Sequence, residues 1–405
     1  MNVRVLSEVC CVLAVLLCAA KPSEAVWRFS RVDHSLDACF RFEGGEFVYR
    51  KNDDVLHYRI STGKKTAVTA NGSLIVESPL MVQDGRVWYV AHFPVPSPLY
   101  RLHRFHVETG HRELLHTSSH EISAHETAWN ADRLVLLIRS DWYVWDGTEM
   151  QRITVTGASV RKQAPVLKGN HLLWLGDGKV FHTHLPTWET RAVGSETVSN
   201  LSLRACETHA AWVETAPPGG TGYRIRMMPL GSLQPVTVDT SGKATWFQVR
   251  FEPPYLIYVK HSGDIWSIVR MHPNNQTPET LYSSGLPLDN PSLHGDDLFF
   301  TVMNCVDVEC MELYRHDLAS GETFRLTSYG QGNFVGLYQA DGARLAFVRL
   351  NVFNPHQPRD LFAGQEEPGA LCGTTLPHRP GHVPLNLLLL LLPLPAAWWM
   401  RPGAR

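Results

Sequence analysis

One short phrase recurs along this chain: an apolar run at strand spacing, a bend, then two amphipathic runs joined by a tight turn. The apolar runs are EFVYR (46–50), RVWYV (86–90), RLVLLI (133–138), HLLWL (171–175), HAAWV (209–213), YLIYV (255–259), DLFFTV (297–302) and RLAFVR (344–349). Each is rich in β-branched or aromatic side chains, which suit a pleated, buried surface. Equivalent positions fall at Tyr49, Tyr89, Leu136, Trp174, Trp212, Tyr258, Phe300 and Phe347, about 43 residues apart on average. That is the period of a propeller blade.

The phrases that follow fit the outer half of such a blade. In VLHYRISTGKKTAV (55–68), LHRFHVETGHRELL (102–115) and LYRHDLASGETFRLT (313–327), two alternating runs flank Thr-Gly or Ser-Gly, where a bend needs positive φ. One such hairpin cannot bury both of its faces alone, so it recurs. A helical solenoid would need apolar spacings of three and four over ten or more residues, and no segment between Val26 and Leu350 has them. A β-sandwich would explain strands but not a steady period. The expected fold is therefore all-β, a β-propeller of seven or eight four-stranded blades. Seven full units run from about Ala38 to Thr327, and FVGLYQADGARLAFVRL (334–350) supplies two strands of an eighth. The N-terminal VWRFSRV (26–32) can complete that blade and close the ring, which favours eight.

The last repeats also carry a resemblance. ADGARLAFVRL (340–350) resembles the Asp-Gly-x-x-apolar-apolar-Phe core of TolB-type, WD-repeat-like propeller repeats, and ELYRHDLASGETFRLT resembles their strand-turn-strand ending in Arg-Leu-Thr. It covers about 297–350 and fades toward the N-terminus, where GGEFVYR and GNHLLWL lack the Asp-Gly. It implies the fold and leaves function open.

Both ends read as address signals. Residues 1–25 hold Arg4, an apolar core from Val9 to Ala20 and a small-x-small Ser23-Glu24-Ala25, the grammar of a signal peptide cleaved after Ala25. Its apolar core is too short to span a bilayer. Residues 351–382 are punctuated by Pro and Gly and read as a flexible stalk. Residues 383–405 form an apolar tail broken by Pro384, Pro393 and Pro395. A retained spanning helix, a glycosylphosphatidylinositol signal and a bacterial sorting tail are all consistent with it, with Cys372 or Gly373 as the anchor or processing site. Every version ends on a membrane surface, so the expected location is the cell surface or envelope. A secreted form is the alternative.

Export permits disulfides. With the signal peptide removed, Cys39, Cys206, Cys305, Cys310 and Cys372 remain, and CVDVEC places Cys305 and Cys310 at the base of a hairpin as the expected pair. Lys plus Arg number 37 against 39 for Asp plus Glu, so no field of one sign gathers phosphate, and a nucleic-acid partner is not expected.

Chemistry-bearing motifs are sparse. No nucleophile elbow, phosphate loop, His-Glu-x-x-His or acidic calcium loop is present, and Gly-rich PPGGTG (217–222) reads as a flexible connection within one blade. His111, His116, His120 and His125 crowd one connection, and His182 and His184 share a strand face, but neither set forces three ligands together. No catalytic, cofactor-binding or metal residue is therefore assigned, and no cofactor is expected. Twelve tryptophans are mostly expected as packing between blades, although exposed aromatics would suit sugar or peptide. Asn71, Asn200 and Asn275 begin glycosylation sequons. Two functions remain. One is a surface-tethered, monomeric module binding a protein, peptide or glycan. The other is a propeller hydrolase or lyase acting at the central channel.

Overall fold

A computed structural model describes residues 26–36, 40–72, 75–94, 97–153, 162–194, 202–215, 222–242, 249–303, 310–329, 333–341, 344–351 and 359–367. Trp27–Glu366 forms one compact unit. Ala25, Cys39, Cys305, Cys372, Gly373, Asn200 and Trp246 lie outside the described residues.

The fold is a β-propeller: all-β, built from blade-like four-stranded antiparallel units. Six separate four-stranded sheets cover residues 40–67, 76–118, 122–152, 162–192, 204–241 and 249–284, each with its strands in chain order. A seventh sheet has eight strands. One half holds residues 288–325, and the other places Asn333–Asp341, Arg344–Asn351, Arg359–Glu367 and then Val26–Leu36 side by side. The halves touch through a single parallel bridge, Met311 to Phe334.

The sequence explains how each sheet is layered. Second strands such as RVWYVAHF (Arg86–Phe93) and HAAWVET (His209–Thr215) are buried on both faces, whereas the fourth strands KKTA and ETRA face water. All eight equivalent positions, from Tyr49 to Phe347, are fully buried. Core clusters join neighbouring sheets: Trp142 meets Trp174 across the third and fourth, and Leu173 meets Trp212 across the fourth and fifth; one further cluster, with Phe299 and Phe347, joins the two halves of the seventh. Ala346, Leu361 and Ala363 of the last half pack with Phe47 and Tyr49 of the first sheet. First strands have one open edge and tolerate proline there: Pro79, Pro165 and Pro291 each sit at a register irregularity.

The outer hairpins repeat one turn. Gly63, Gly110, Gly321, Leu233 and Gln276 each donate their amide to the carbonyl four residues back, and each has positive φ. The turn after Lys179–His184 places Trp188 at the same step with φ 58°.

The sheet extends further than the sequence reading allows. Arg359–Glu367, assigned there to the stalk, pairs along Arg344–Asn351 with Phe347 opposite Phe362. Gly364 lies so close to the N-terminal strand that an added Cβ would stand 2.5 Å from the Arg28 carbonyl oxygen. The apolar core of RDLFAGQEE was obscured by the Pro-rich NPHQPRD before it. Cys310 is buried and disulfide-bonded, and Cys206 is free.

Candidate functional site

The meander fixes two opposite edges of each sheet. First-to-second and third-to-fourth strand turns share one edge, and the remaining connections share the other. Cavities lined by described residues open on the first of these edges. One of about 220 Å³ lies between the third and fourth sheets among Arg133, Asp146, Gln151, Leu185, Pro186 and Trp188. A neighbour of about 160 Å³, between the second and third sheets, shares Arg133 and is floored by Trp88 and Trp145. Together they make a groove with Arg133 at its centre. A third, about 200 Å³ and mostly apolar, is bounded by Cys206, Phe251, Pro253, Pro254 and His272.

The polar groups of the groove are held in place. Arg133 donates to Asn170 Oδ1 at 2.6 Å, joining the turns of two sheets. Arg104 donates from Nε and Nη2 to one oxygen of Glu113 at 3.0 and 2.6 Å while its guanidinium covers the Trp145 ring at 5.3 Å. Asp146 accepts the Glu149 and Thr148 amides and the Thr148 hydroxyl, which lowers its carboxyl to about 2 and keeps it ionised at neutral pH.

Trp188 departs from the packing role expected of tryptophan. Trp142, Trp174 and Trp212 are fully buried, but Trp188 is 42% exposed. A bulky residue in left-handed backbone costs about 1–2 kcal/mol, and three sibling turns avoid that with glycine. Leu233 offsets the cost by burial in a core cluster; Trp188 belongs to none of the clusters among the described residues. Its indole instead stands at the mouth of the cavity.

Charged residues of the first strands are tied to other sheets. Arg41 donates to the Ala124 carbonyl at 3.1 Å, and Trp129 donates to Glu43 at 3.2 Å. Burial, reinforced by Asp84, raises the Glu43 carboxyl, with the Trp129 bond opposing. Burial beside Arg250 lowers Arg204 to about 10. Among the described residues, Ser292 makes an arrangement that suggests catalysis: it donates to Glu252 at 2.9 Å and lies 3.2 Å from His294 Nε2. With its proton committed to Glu252, Ser292 needs Nε2 as donor, whereas a general base needs a lone pair there. Ser292 is also 1% exposed.

His111, His116, His120 and His125 do not converge: His120 sits in a turn and His125 is exposed on a separate strand. His182 gains a neighbour that the sequence did not indicate, His171 on the adjoining strand, 2.8 Å away. Among the described residues no group of three or more His, Cys, Asp or Glu side chains could hold a metal ion. Asn71 and Asn275 are exposed, Asn275 in a turn. No helix among the described residues is long and apolar enough to cross a membrane.

No family model matches the chain, and no curated protein matches it. Solved structures do. Porphyromonas gingivalis dipeptidyl peptidase 4 is similar at TM-score 0.57 and 9% identity over 85% of this chain and 60% of its own. BamB from Moraxella catarrhalis is similar at 0.52 and 13%, over 85% of this chain and 99% of its own. A prolyl endopeptidase is similar at 0.51 and 11%, over 83% and 56% respectively. The chain thus spans little more than half the length of these peptidases, and at such identities the likeness is one of fold.

Proposed function

We propose that this chain is an exported, surface-tethered propeller that binds a glycan through the groove centred on Arg133. Trp188 is the observation that carries the reading: an exposed indole kept in a costly backbone conformation beside an ionised carboxylate, a guanidinium and an amide. An aromatic face stacks on the C–H face of a sugar ring while such planar polar groups pair with its hydroxyls. In this reading the TolB-type repeats form eight blades, the N-terminal strand completes the last, Cys305 pairs with Cys310, and the ring is monomeric on its stalk.

The test is a glycan array probed with purified mature protein and with Trp188→Gly. Recognition of a glycan class by the parent alone supports the proposal. An empty array with capture on a peptide array transfers the groove to peptide or protein ligands, and binding indifferent to Trp188 overturns its role. The runner-up, a hydrolase or lyase at the axis, requires product release from a bound substrate; its support is the Glu252–Ser292–His294 chain, weakened by burial. Intact mass spectrometry tests the tether. A chain from Val26 to Cys372 or Gly373 with a lipid attached supports it, and one continuing to Arg405 replaces it with a retained tail.

A further inference from the structure

Six charged side chains line the two cavities that meet at Arg133. Asp84 lies in the first turn of the second sheet and Arg86 begins the strand after it; Arg104 belongs to the third strand of that sheet, and Asp132, Arg133 and Asp146 to turns of the third sheet. Their charges are not equally available. Arg104 is neutralised by Glu113, 2.6 Å away. Arg133 gives a hydrogen bond to Asn170, a neutral partner, and keeps its charge. Asp146 receives its turn's hydrogen bonds on Oδ1 alone, so Oδ2 still accepts. Among the described residues the side chains of Asp84, Arg86 and Asp132 form no ion pair and no hydrogen bond.

Once Arg104 and Glu113 cancel, the carboxylates of Asp84, Asp132 and Asp146 stand against the guanidiniums of Arg86 and Arg133, and the groove is left negative. The Asp84 charge also acts beyond its own turn: burial raises the Glu43 carboxyl of the first sheet, and Asp84 adds to that rise against the Trp129 bond. A ligand carrying carboxylate or sulfate meets like charge here and loses affinity. A sugar hydroxyl is neutral; it donates to a free carboxylate and accepts from a guanidinium. Volumes of about 220 and 160 Å³ each lie below the ~300–1,000 Å³ of a site for a drug-sized ligand and suit one sugar ring apiece.

We propose that Asp84 and Asp132 make this groove selective for uncharged oligosaccharides of two or more rings, turning away chains that carry uronate, sialate or sulfate. One ring lies on the Trp188 indole, and the next crosses Arg133 to the cavity edged by Asp84 and Asp132. The inference rests on the glycan reading of the groove and adds its selectivity.

Matched saccharide pairs titrated against the mature protein test it: lacto-N-tetraose with its sialylated form, and cellotetraose with its glucuronate counterpart. The parent should bind a neutral member at least about tenfold more tightly than its acidic counterpart. Asp84→Asn with Asp132→Asn should narrow that gap to within about threefold while affinity for the neutral member is kept. Asp84 has φ 50°, which asparagine also tolerates, and Asp132 is exposed at a bend, so the double variant should keep the parent's circular dichroism. Asp132→Asn alone is the second variant and should close part of the gap. Equal or tighter binding of the acidic members, lost in Trp188→Gly, overturns the selectivity and leaves the glycan reading standing. A gap unchanged in both aspartate variants overturns the role of Asp84 and Asp132. No saccharide bound by the parent, on these pairs or on the array, overturns the glycan reading and this inference with it.

Discussion

At the scale of single residues, the most informative positions break a local rule. Trp188 occupies a step that glycine fills in three other turns, so Trp188→Gly should relieve about 1 kcal/mol of backbone cost. Thermal denaturation should show a midpoint no lower than the parent's, while ligand binding falls at least tenfold. A midpoint drop of several degrees would mean that the indole is a packing residue after all. Gly364 is the opposite case, a glycine required by a neighbour: Gly364→Val must displace Arg28 or Phe29 of the N-terminal strand. We expect that variant to lose on the order of 2 kcal/mol by overpacking, read as a lower urea midpoint.

At the scale of elements, two neighbouring strands are fastened by the same latch. Asp33 on the N-terminal strand accepts Tyr49 Oη at 2.8 Å, Lys65 Nζ at 2.7 Å and the Lys51 ammonium. Asp239, on the fourth strand of the fifth sheet, accepts Tyr258 Oη at 2.9 Å and Lys260 Nζ at 2.8 Å. In both, a Tyr-x-Lys on the second strand of the next sheet reaches back to an outer-strand aspartate. Burial alone would raise the Asp33 carboxyl, but the bonds from Lys51, Lys65 and Tyr49 outweigh it and hold it well below the usual carboxylate range. A carboxyl lowered by folding stabilises the fold above its unfolded value, about 3.9, and loses that contribution as pH falls from there toward its folded value. The urea midpoint should therefore drop between about pH 5 and pH 3. Asp33→Asn should lower the midpoint at pH 7 by on the order of 2 kcal/mol, moderated by water around the part-exposed lysines, and flatten the acid slope. An unchanged acid slope in that variant would remove the latch from the account.

At the scale of the whole molecule, the structure moves the end of the folded unit. Arg359–Glu367 lies between Arg344–Asn351 and the N-terminal strand. A chain ended after Gly369 keeps it and should be released folded, with the parent's melting midpoint. A chain ended at Leu350 loses a strand whose Leu361 and Ala363 are buried, and should aggregate or resist proteolysis far less. Equal protease resistance in the two would restore the sequence-derived boundary. A core that joins the last strands to Phe47 and Tyr49 of the first sheet also implies that such damage is shared by neighbours rather than confined to one sheet.

How much was legible follows from where side chains point. Second strands are buried on both faces, so their apolar runs stand out and phase the repeat from Tyr49 to Phe347. Three first strands are interrupted by Pro79, Pro165 and Pro291, and fourth strands such as KKTA carry solvent-facing charge, so neither announces itself. His182 and His184 were visible as alternate residues of one strand; His171 was not, because its position beside them depends on strand register. Trp188 could have been found from its place in the turn where siblings have glycine, but not its exposure. The sequence by itself determined the strand period, the all-β propeller and the turn chemistry, because these depend on local periodicity and backbone preference. The tertiary structure decided which strand flanks Val26–Leu36, which aspartate meets which Tyr-x-Lys and which indole faces water, because those contacts join residues far apart in the chain.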